Sequence, residues 1–389
     1  MATVEHPIGG IDPAVVRAKA DGIVDEVLAA LTKDPVALVA PVAAETPALD
    51  APDDLDLFQS FVLDQHWGDG LPALPPTMER VARVLGGTRR GRGEVVATLA
   101  PRNARATVEA VAVNAVLAGA GPEHLPVILA AVRAVADPGF NLFAIQTTTH
   151  PCTPLVILNG PVAGTLGVNA GPNALGQGHR ANAVIGRALR LVLQNVGGAR
   201  PGSTDRATLG HPGKYSYCLA ENEAASPWSP LHVERGFEAG ASCVTVCGAD
   251  APHNVNDHSS TSAEALLFAL VGTLATPGSN NVYLGGEPLV LLGPEHAQTF
   301  ARSGWSKDDV RRALWERARV PLTRFSEENL TRFAIIDPAR LEDRTPAAAL
   351  PPAHRPEDIM VVVAGGPGKH SAIVPTFGAT RSVTVAVER

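Results

Sequence analysis

Apolar positions recur every three to four residues between 11 and 32. Val15, Val16, Ile23, Val24, Val27, Leu28 and Leu31 form one stripe there, the spacing of an amphipathic helix. An Ala/Pro-rich stretch at 35–52 follows and predicts a linker or an arm lying over another surface. The main body opens near Asp54 with a helix reaching His66, then the turn WGDGLPALPP, whose Gly and Pro forbid either regular element. Further helices are predicted over 77–85, 105–118, 123–136 and 181–195, the last closed by Gly197 and Gly198. Strands are predicted at 94–99, 141–147 and 155–158. Beyond residue 200, short β-branched runs at 243–247, 288–292, 334–336, 359–364 and 382–387 alternate with helices at 262–274, 295–303 and 307–319.

This alternation predicts an α/β fold, with a mixed, largely parallel sheet flanked by helices. The expected organisation is an N-terminal helix and linker at 1–53 and two closely packed subdomains at 54–200 and 201–389, since 389 residues exceed one ordinary core. Three strands, VILNGP, VLLGPE and VVVAGGPG, run straight into Gly or Pro at their carboxyl ends. In α/β sheets that is where the ligand crevice lies.

Composition narrows the function. The chain is 45 % hydrophobic and 18 % charged with a formal charge of −7, which argues against nonspecific nucleic-acid binding because phosphate neutralisation drives that process. The basic cluster Arg89, Arg90 and Arg92 reads as a solvated turn. No stretch of 18 apolar residues occurs, and the N-terminus shows no basic region followed by an apolar run. The expectation is a cytoplasmic protein with neither membrane span nor signal peptide. Four cysteines in this length argue for free thiols or ligands rather than a disulfide framework.

The densest chemistry lies at 214–237, KYSYCLAENEAASPWSPLHVERGF. Cys218, Glu221, Glu223, His232 and Arg235 are interleaved there with Tyr215, Tyr217, Trp228 and Phe237, which favour burial; the combination predicts a walled cleft. Charges pairing among themselves at a structural corner are the alternative. Glu221 and Glu223 are the expected proton carriers, with Cys218 and His232 as further catalytic candidates. The Gly-rich stretch 164–178 feeds the helix at 181–195, a loop-to-helix junction suited to an anion, and Arg187 and Arg190 on that helix could grip a carboxylate or phosphate. A second glycine element, VVVAGGPGKHSA, presents Gly365, Gly366, Lys369, His370 and Ser371 at a strand end; with Lys214 and Arg235 these complete the expected substrate-binding set. It is not a phosphate loop, because the glycine spacing before Lys369 is wrong and His370 stands where Ser or Thr would hold magnesium.

His253, Asp257 and His258 supply the residue types a divalent metal needs, with zinc, iron or manganese as the matching ions. Asp257, Ser259 or Ser260 capping the next helix is the competing expectation. Cys243 and Cys247 share a strand face about 13 Å apart, too far for joint ligation. His150 and Cys152 flank Pro151; a Cys beside a His is the pattern of an activated thiolate, but neighbours around a proline rarely point the same way, and apolar packing of Cys152 is the favoured expectation.

The stretches TVEAVAVNAVLAGAGPEHLPVILAA, FNLFAIQTTTHP, ANAVIGRALRLVLQNVGGARPG, HPGKYSYCLAENEAASPWSPLHVERGF and VVVAGGPGKHSAIVPTFG resemble a bacterial family without an assigned reaction. That family is loosely associated with small proteins bearing Cys or selenocysteine followed by Gly-Ser-Cys. This chain has no Cys-Gly-Ser-Cys, so the resemblance transfers no thiol pair. The expected function is an enzyme acting on a small anionic metabolite by metal-assisted or acid/base bond cleavage, of lyase or hydrolase type. A thiol-redox component working with a small partner protein through Cys218 or Cys152, or a metal- or cofactor-binding module, is the alternative. A homo-oligomer is also expected, since a detached amphipathic helix needs a surface on which to bury its apolar face.

Overall fold

The computed structural model describes Val4, residues 11–32 and residues 48–388 apart from 344 and 346. Met1–Ala51 and Pro52–Arg389 form separate units. In the first, the expected helix is two short ones, α1 (Pro13–Asp21) and α2 (Val24–Thr32), interrupted at Gly22 and Ile23. Most of the expected linker, 35–47, lies outside the described residues.

In the second unit the strands are β1 (Val95–Leu99), β2 (Ala104–Thr107), β3 (Thr153–Asn159), β4 (Cys218–Ala220), β5 (Cys243–Ala249), β6 (His253–Asn256), β7 (Leu289–Leu292), β8 (Val320–Pro321), β9 (Ala349–Leu350), β10 (Met360–Val363), β11 (His370–Val374) and β12 (Val383–Ala386). The helices are α3 (Leu55–Asp64), α4 (Met78–Leu85), α5 (Val108–Leu117), α6 (Leu125–Val135), α7 (Leu142–Thr147), α8 (Pro161–Leu166), α9 (Arg180–Asn195), α10 (Leu231–Glu234), α11 (Ala263–Leu274), α12 (Asn280–Leu284), α13 (Pro294–Arg302), α14 (Lys307–Arg317) and α15 (Glu327–Ile336). None of the helices among the described residues is long and apolar enough to cross a membrane.

The fold is mixed α/β, but the expected largely parallel sheet is instead two four-stranded mixed sheets, ordered β12-β5-β3-β4 and β10-β7-β11-β6. Read from β4 and from β10, the two sheets have the same grammar: one parallel pair, then two antiparallel neighbours. Each parallel pair is joined by a helical crossover, α8 and α9 between β3 and β4, and α13 and α14 on the path from β7 to β10. The sequence echoes this, with PLVIL at 154–158 and PLVLL at 288–292. Each half then gives its last strand to the other's sheet: β6 follows β5 but pairs with β11, and β12 follows β11 but pairs with β5. The expected boundary at residue 200 therefore runs through a sheet, because β3 pairs with both β4 and β5.

Side-chain alternation explains the layers. Leu155, Ile157, Leu289, Leu291, Met360 and Val362 meet between the two sheets. Val156, Leu158, Val244 and Val246 face α5, α6 and α9. Val290, Leu292, Val361 and Val363 face α11, α13 and α14. The order of layers is helix, sheet, sheet, helix.

Local departures have local causes. The strand expected at 141–147 is α7, started by Asn141 in the left-handed region (φ 52°) with its side chain accepting from the Ala144 N–H. The strand expected at 334–336 is the end of α15, capped by Ser326. The helix expected from 105 begins at Val108, because residues 104–107 pair with β1 as an antiparallel hairpin and Thr107 caps the helix. Strands β4, β6 and β11 were hidden inside stretches dense in polar residues or too short to show a period.

Candidate active site

Strands β3 and β4 end side by side, and the residues just past their hydrogen-bonded pairs form a buried polar cluster. Asn159 closes β3, and Glu221 and Glu223 follow β4 directly. Asn159 Nδ2 donates to Glu221 Oε2 at 2.7 Å and to Glu223 Oε1 at 3.0 Å. The Gly160 N–H also donates to Glu223 Oε1 at 2.7 Å. Gly160 has φ 77°, and a Cβ there would run into the Ala241 carbonyl, so only glycine lets the chain turn this close to β5.

Glu221 is 4 % exposed. Its Oε2 also accepts the Leu231 N–H at 2.7 Å, and its Oε1 lies 3.5 Å from Lys307 Nζ without a hydrogen bond. Burial pushes its pKa up, against the pull of Lys307, the Leu231 amide and Asn159. Lys307 donates to the Ser229 carbonyl at 2.7 Å.

His232 is fully buried, and its Nε2 lies 3.3 Å from the Ala239 carbonyl. A carbonyl only accepts, so Nε2 carries a proton, while Nδ1 has no hydrogen-bond partner and lies 4.0 Å from Glu223 Oε1. Glu223 is half-buried, and its second oxygen has no hydrogen-bond partner among the described residues. Three buried atoms in this cluster, Asn159 Oδ1, Glu221 Oε1 and His232 Nδ1, lack hydrogen-bond partners.

The other expected catalytic residue does not share this chemistry. Cys218 lies in β4 and is buried in the hydrophobic core, and its thiol is pushed well above the ordinary range by desolvation. Cys152 and Cys247 are likewise buried, each pushed up to about 12. A thiolate is disfavoured at all three sites.

The expected anion grips are occupied by the protein. Arg187 forms a bidentate pair with Asp69 at 2.7 and 2.8 Å and donates to the Pro72 and Leu71 carbonyls, tying α9 to the turn at 69–72. Arg190 pairs with Asp205 at 2.9 Å and with the Ala199 carbonyl, and Lys214 shares Asp205 at 2.7 Å. Arg235 donates to Ser382 Oγ at 2.7 Å and lies 3.9 Å from Glu287. The Gly-rich stretch before α9 is held by Asn182, whose side chain bonds Asn169, Ala174 and Cys218 backbone atoms.

Gly365 does meet the 214–237 segment, through Asn222. The Asn222 N–H donates to the Val363 carbonyl at 2.8 Å, and Asn222 Nδ2 to the Gly365 carbonyl at 3.2 Å. Gly366 lies against Pro172 so closely that any Cβ would collide with it. The carboxyl ends of β4 and β10 thus converge at Asn222.

Lys369, His370 and Ser371 fall in a different cluster with Asp257 and His258. Lys369 Nζ donates to the His258 and Ser260 carbonyls, and the His370 ring meets that of His258, with nitrogens 3.2 Å apart. Ser371 Oγ is 2.7 Å from Nδ1 of buried His296, whose Nε2 faces the Asp257 carbonyl at 3.1 Å. The carbonyl fixes the tautomer, so Ser371 donates to His296 while accepting the Gly293 N–H at 3.1 Å. This pair clamps α13 to β11.

The three expected metal ligands do not assemble as a site. Asp257 accepts the Ser259 and Ser260 N–H groups at 3.1 and 2.9 Å in a local turn, and the helix that follows is capped by Ser262 rather than by Asp257, Ser259 or Ser260. His253 begins β6, opposite Ile373. Among the described residues no group of three or more His, Cys, Asp or Glu side chains is arranged to hold a metal ion.

Sequence reasoning missed Asn159, Lys307 and His296. Asn159 carried a usable signal, a polar residue ending an apolar strand before Gly-Pro. Lys307 and His296 sit on helices and reach their clusters only through tertiary packing. Comparison with known proteins brings no match, neither a family model, nor a curated protein, nor a solved structure.

Proposed function

We propose that the protein is an enzyme acting on a small anionic metabolite by acid/base bond cleavage of lyase or hydrolase type, with Glu223 as the group that moves the proton. The observation that carries this reading is the set of unpartnered buried atoms around Asn159, Glu221 and His232, next to a carboxylate with one oxygen anchored and one free. Buried polar groups are ordinarily satisfied, and unsatisfied ones gathered at strand carboxyl ends favour a site over a structural corner. In this reading Asn159 and the Gly160 amide orient Glu223, and His232 stands behind it to accept or return a proton. Glu221 and Lys307 form the neighbouring buried pair that fixes the local charge. The thiol-redox reading draws less support, since Cys218 and Cys152 are both buried with raised pKa values.

The test follows proton movement in deuterated water. A panel of small hydroxy acids, keto acids and carboxamides is incubated with the protein and watched by proton NMR for exchange or cleavage. With an accepted compound, Glu223→Gln should lower kcat by about 100- to 10,000-fold, with KM changed little. Full turnover by Glu223→Gln would remove this carboxylate from the mechanism.

A further inference from the structure

A cavity of about 210 Å³ lies in the helical layer, where α4, the turn after α5 and the first residue of α9 meet. That is room for several waters, and so for a small metabolite rather than a nucleotide. Arg80, Arg83 and Arg180 line it, with Val84 and Val116 giving an apolar wall and Glu123 the one carboxylate.

The charges are not neutralised by the protein. The Arg83 guanidinium has no hydrogen-bond or ion-pair partner among the described residues, and its side chain is exposed. Arg80 donates to the Pro75 carbonyl at 3.0 Å and Arg180 to the Gly119 carbonyl at 2.8 Å, contacts that orient both guanidinium groups while leaving their charge uncancelled. Glu123 lies 3.2 Å from Nδ1 of His124, but that nitrogen accepts the Gly121 N–H, and burial lowers the pKa of His124. Three cations therefore face one anion, in a chain whose formal charge is −7.

Guanidinium groups are planar forks that match the oxygens of phosphate and carboxylate. Arg180 is also the first residue of α9, and its N-cap residue His179 offers no side-chain cap, so the positive end of a 16-residue helix adds to the field. The crossover from β3 through α9 to β4 brings this helix end to the same edge of the sheet as the strand carboxyl ends. Arg80 is half-buried and Arg83 and Arg180 are exposed, so the site opens to solvent, and the three share one hollow with the apolar wall of Val84 and Val116.

We infer that this cavity is a binding site for a small anion carrying at least two charged oxygens, a phosphate ester or a polycarboxylate, held by Arg80, Arg83 and Arg180. The site is independent of Glu223 and stands whether or not that residue is catalytic.

The experiment is calorimetric titration of the full chain with inorganic pyrophosphate, inorganic phosphate and citrate at constant ionic strength. The wild-type protein should bind at least one of them, and Arg83→Ala and Arg180→Ala should each weaken that binding by about 10- to 100-fold. Arg312→Ala, an exposed arginine on α14, should leave it unchanged. Preference for pyrophosphate or phosphate assigns a phosphate ester, and preference for citrate a polycarboxylate. Urea unfolding of Arg83→Ala should match wild type, which separates lost binding from lost fold. No binding of any probe at 10 mM (about 2.7 kcal/mol), or equal affinity in wild type, Arg83→Ala and Arg180→Ala, would overturn the proposal.

Discussion

Arg187 shows how a single residue's chemistry can be right in kind and different in use. Its planar fork does bind a carboxylate bidentately, but the carboxylate is Asp69 of the same chain, with two backbone carbonyls taking the remaining donors. The pair is largely buried, at 12 % and 6 % side-chain exposure, so cutting one partner strands the other's charge. Arg187→Ala should therefore cost about 3 kcal/mol or more in urea unfolding, with no specific effect on binding of small anions. A variant of wild-type stability would show the pair to be energetically neutral.

Between elements, histidine supplies the clamps. His296 ties α13 to β11 through Ser371, and His124 and His211 are also held with their pKa below the ordinary value, in each case first by burial. A neutral imidazole is favoured in the folded state, so between pH 6.5 and the lower folded values the unfolded chain binds more protons. Their contribution is complete above 6.5 and is lost as pH falls through the folded values. Glu221, with its raised pKa, acts in the opposite sense, weakening the fold as pH rises above about 4.5. The urea midpoint should fall between pH 7.5 and 5.5, and His296→Gln should flatten that slope while lowering the midpoint at pH 7.5. An equally steep slope in the variant would mean that His296 does not carry this dependence. Lys369 and His370, which face the same imidazole and oppose its protonation, belong to the same balance.

At the scale of the whole molecule, the exchange of β6 and β12 makes the two halves interdependent. Each sheet lacks its fourth strand unless the other half supplies it, which would leave β5 or β11 as a bare apolar edge. Fragments 54–258 and 259–389 made separately should aggregate or stay unfolded, whereas co-expression should yield one complex by size-exclusion chromatography. Cooperative unfolding by either fragment alone would show that the donated strand is dispensable.

The sequence by itself determined the elements whose signal is local. Apart from the N-terminal helix, which is two, and α5, which starts three residues late, the apolar-periodic helices appear within about two residues of their expected limits, with Thr77, Ser262 and Ser306 at N-caps, and the buried strands β3, β5, β7 and β10 read as largely apolar runs because both their faces are covered. Glu221, Glu223 and His232 were visible as chemistry because they crowd a short segment, and the structure brings them together with Asn159. Only the tertiary structure decided how strands were shared between sheets, since a four-residue strand such as β6 or β12 pairs equally well in either by local preference. It also decided what each cation does: Arg187 and Arg190 lie among carboxylates that turns bring to them, while Arg80 and Arg83, three apart on α4, meet the distant Arg180 where Glu123 is the one opposing carboxylate. A side chain's charge is local, but its compensation depends on the groups that folding brings within a few ångströms.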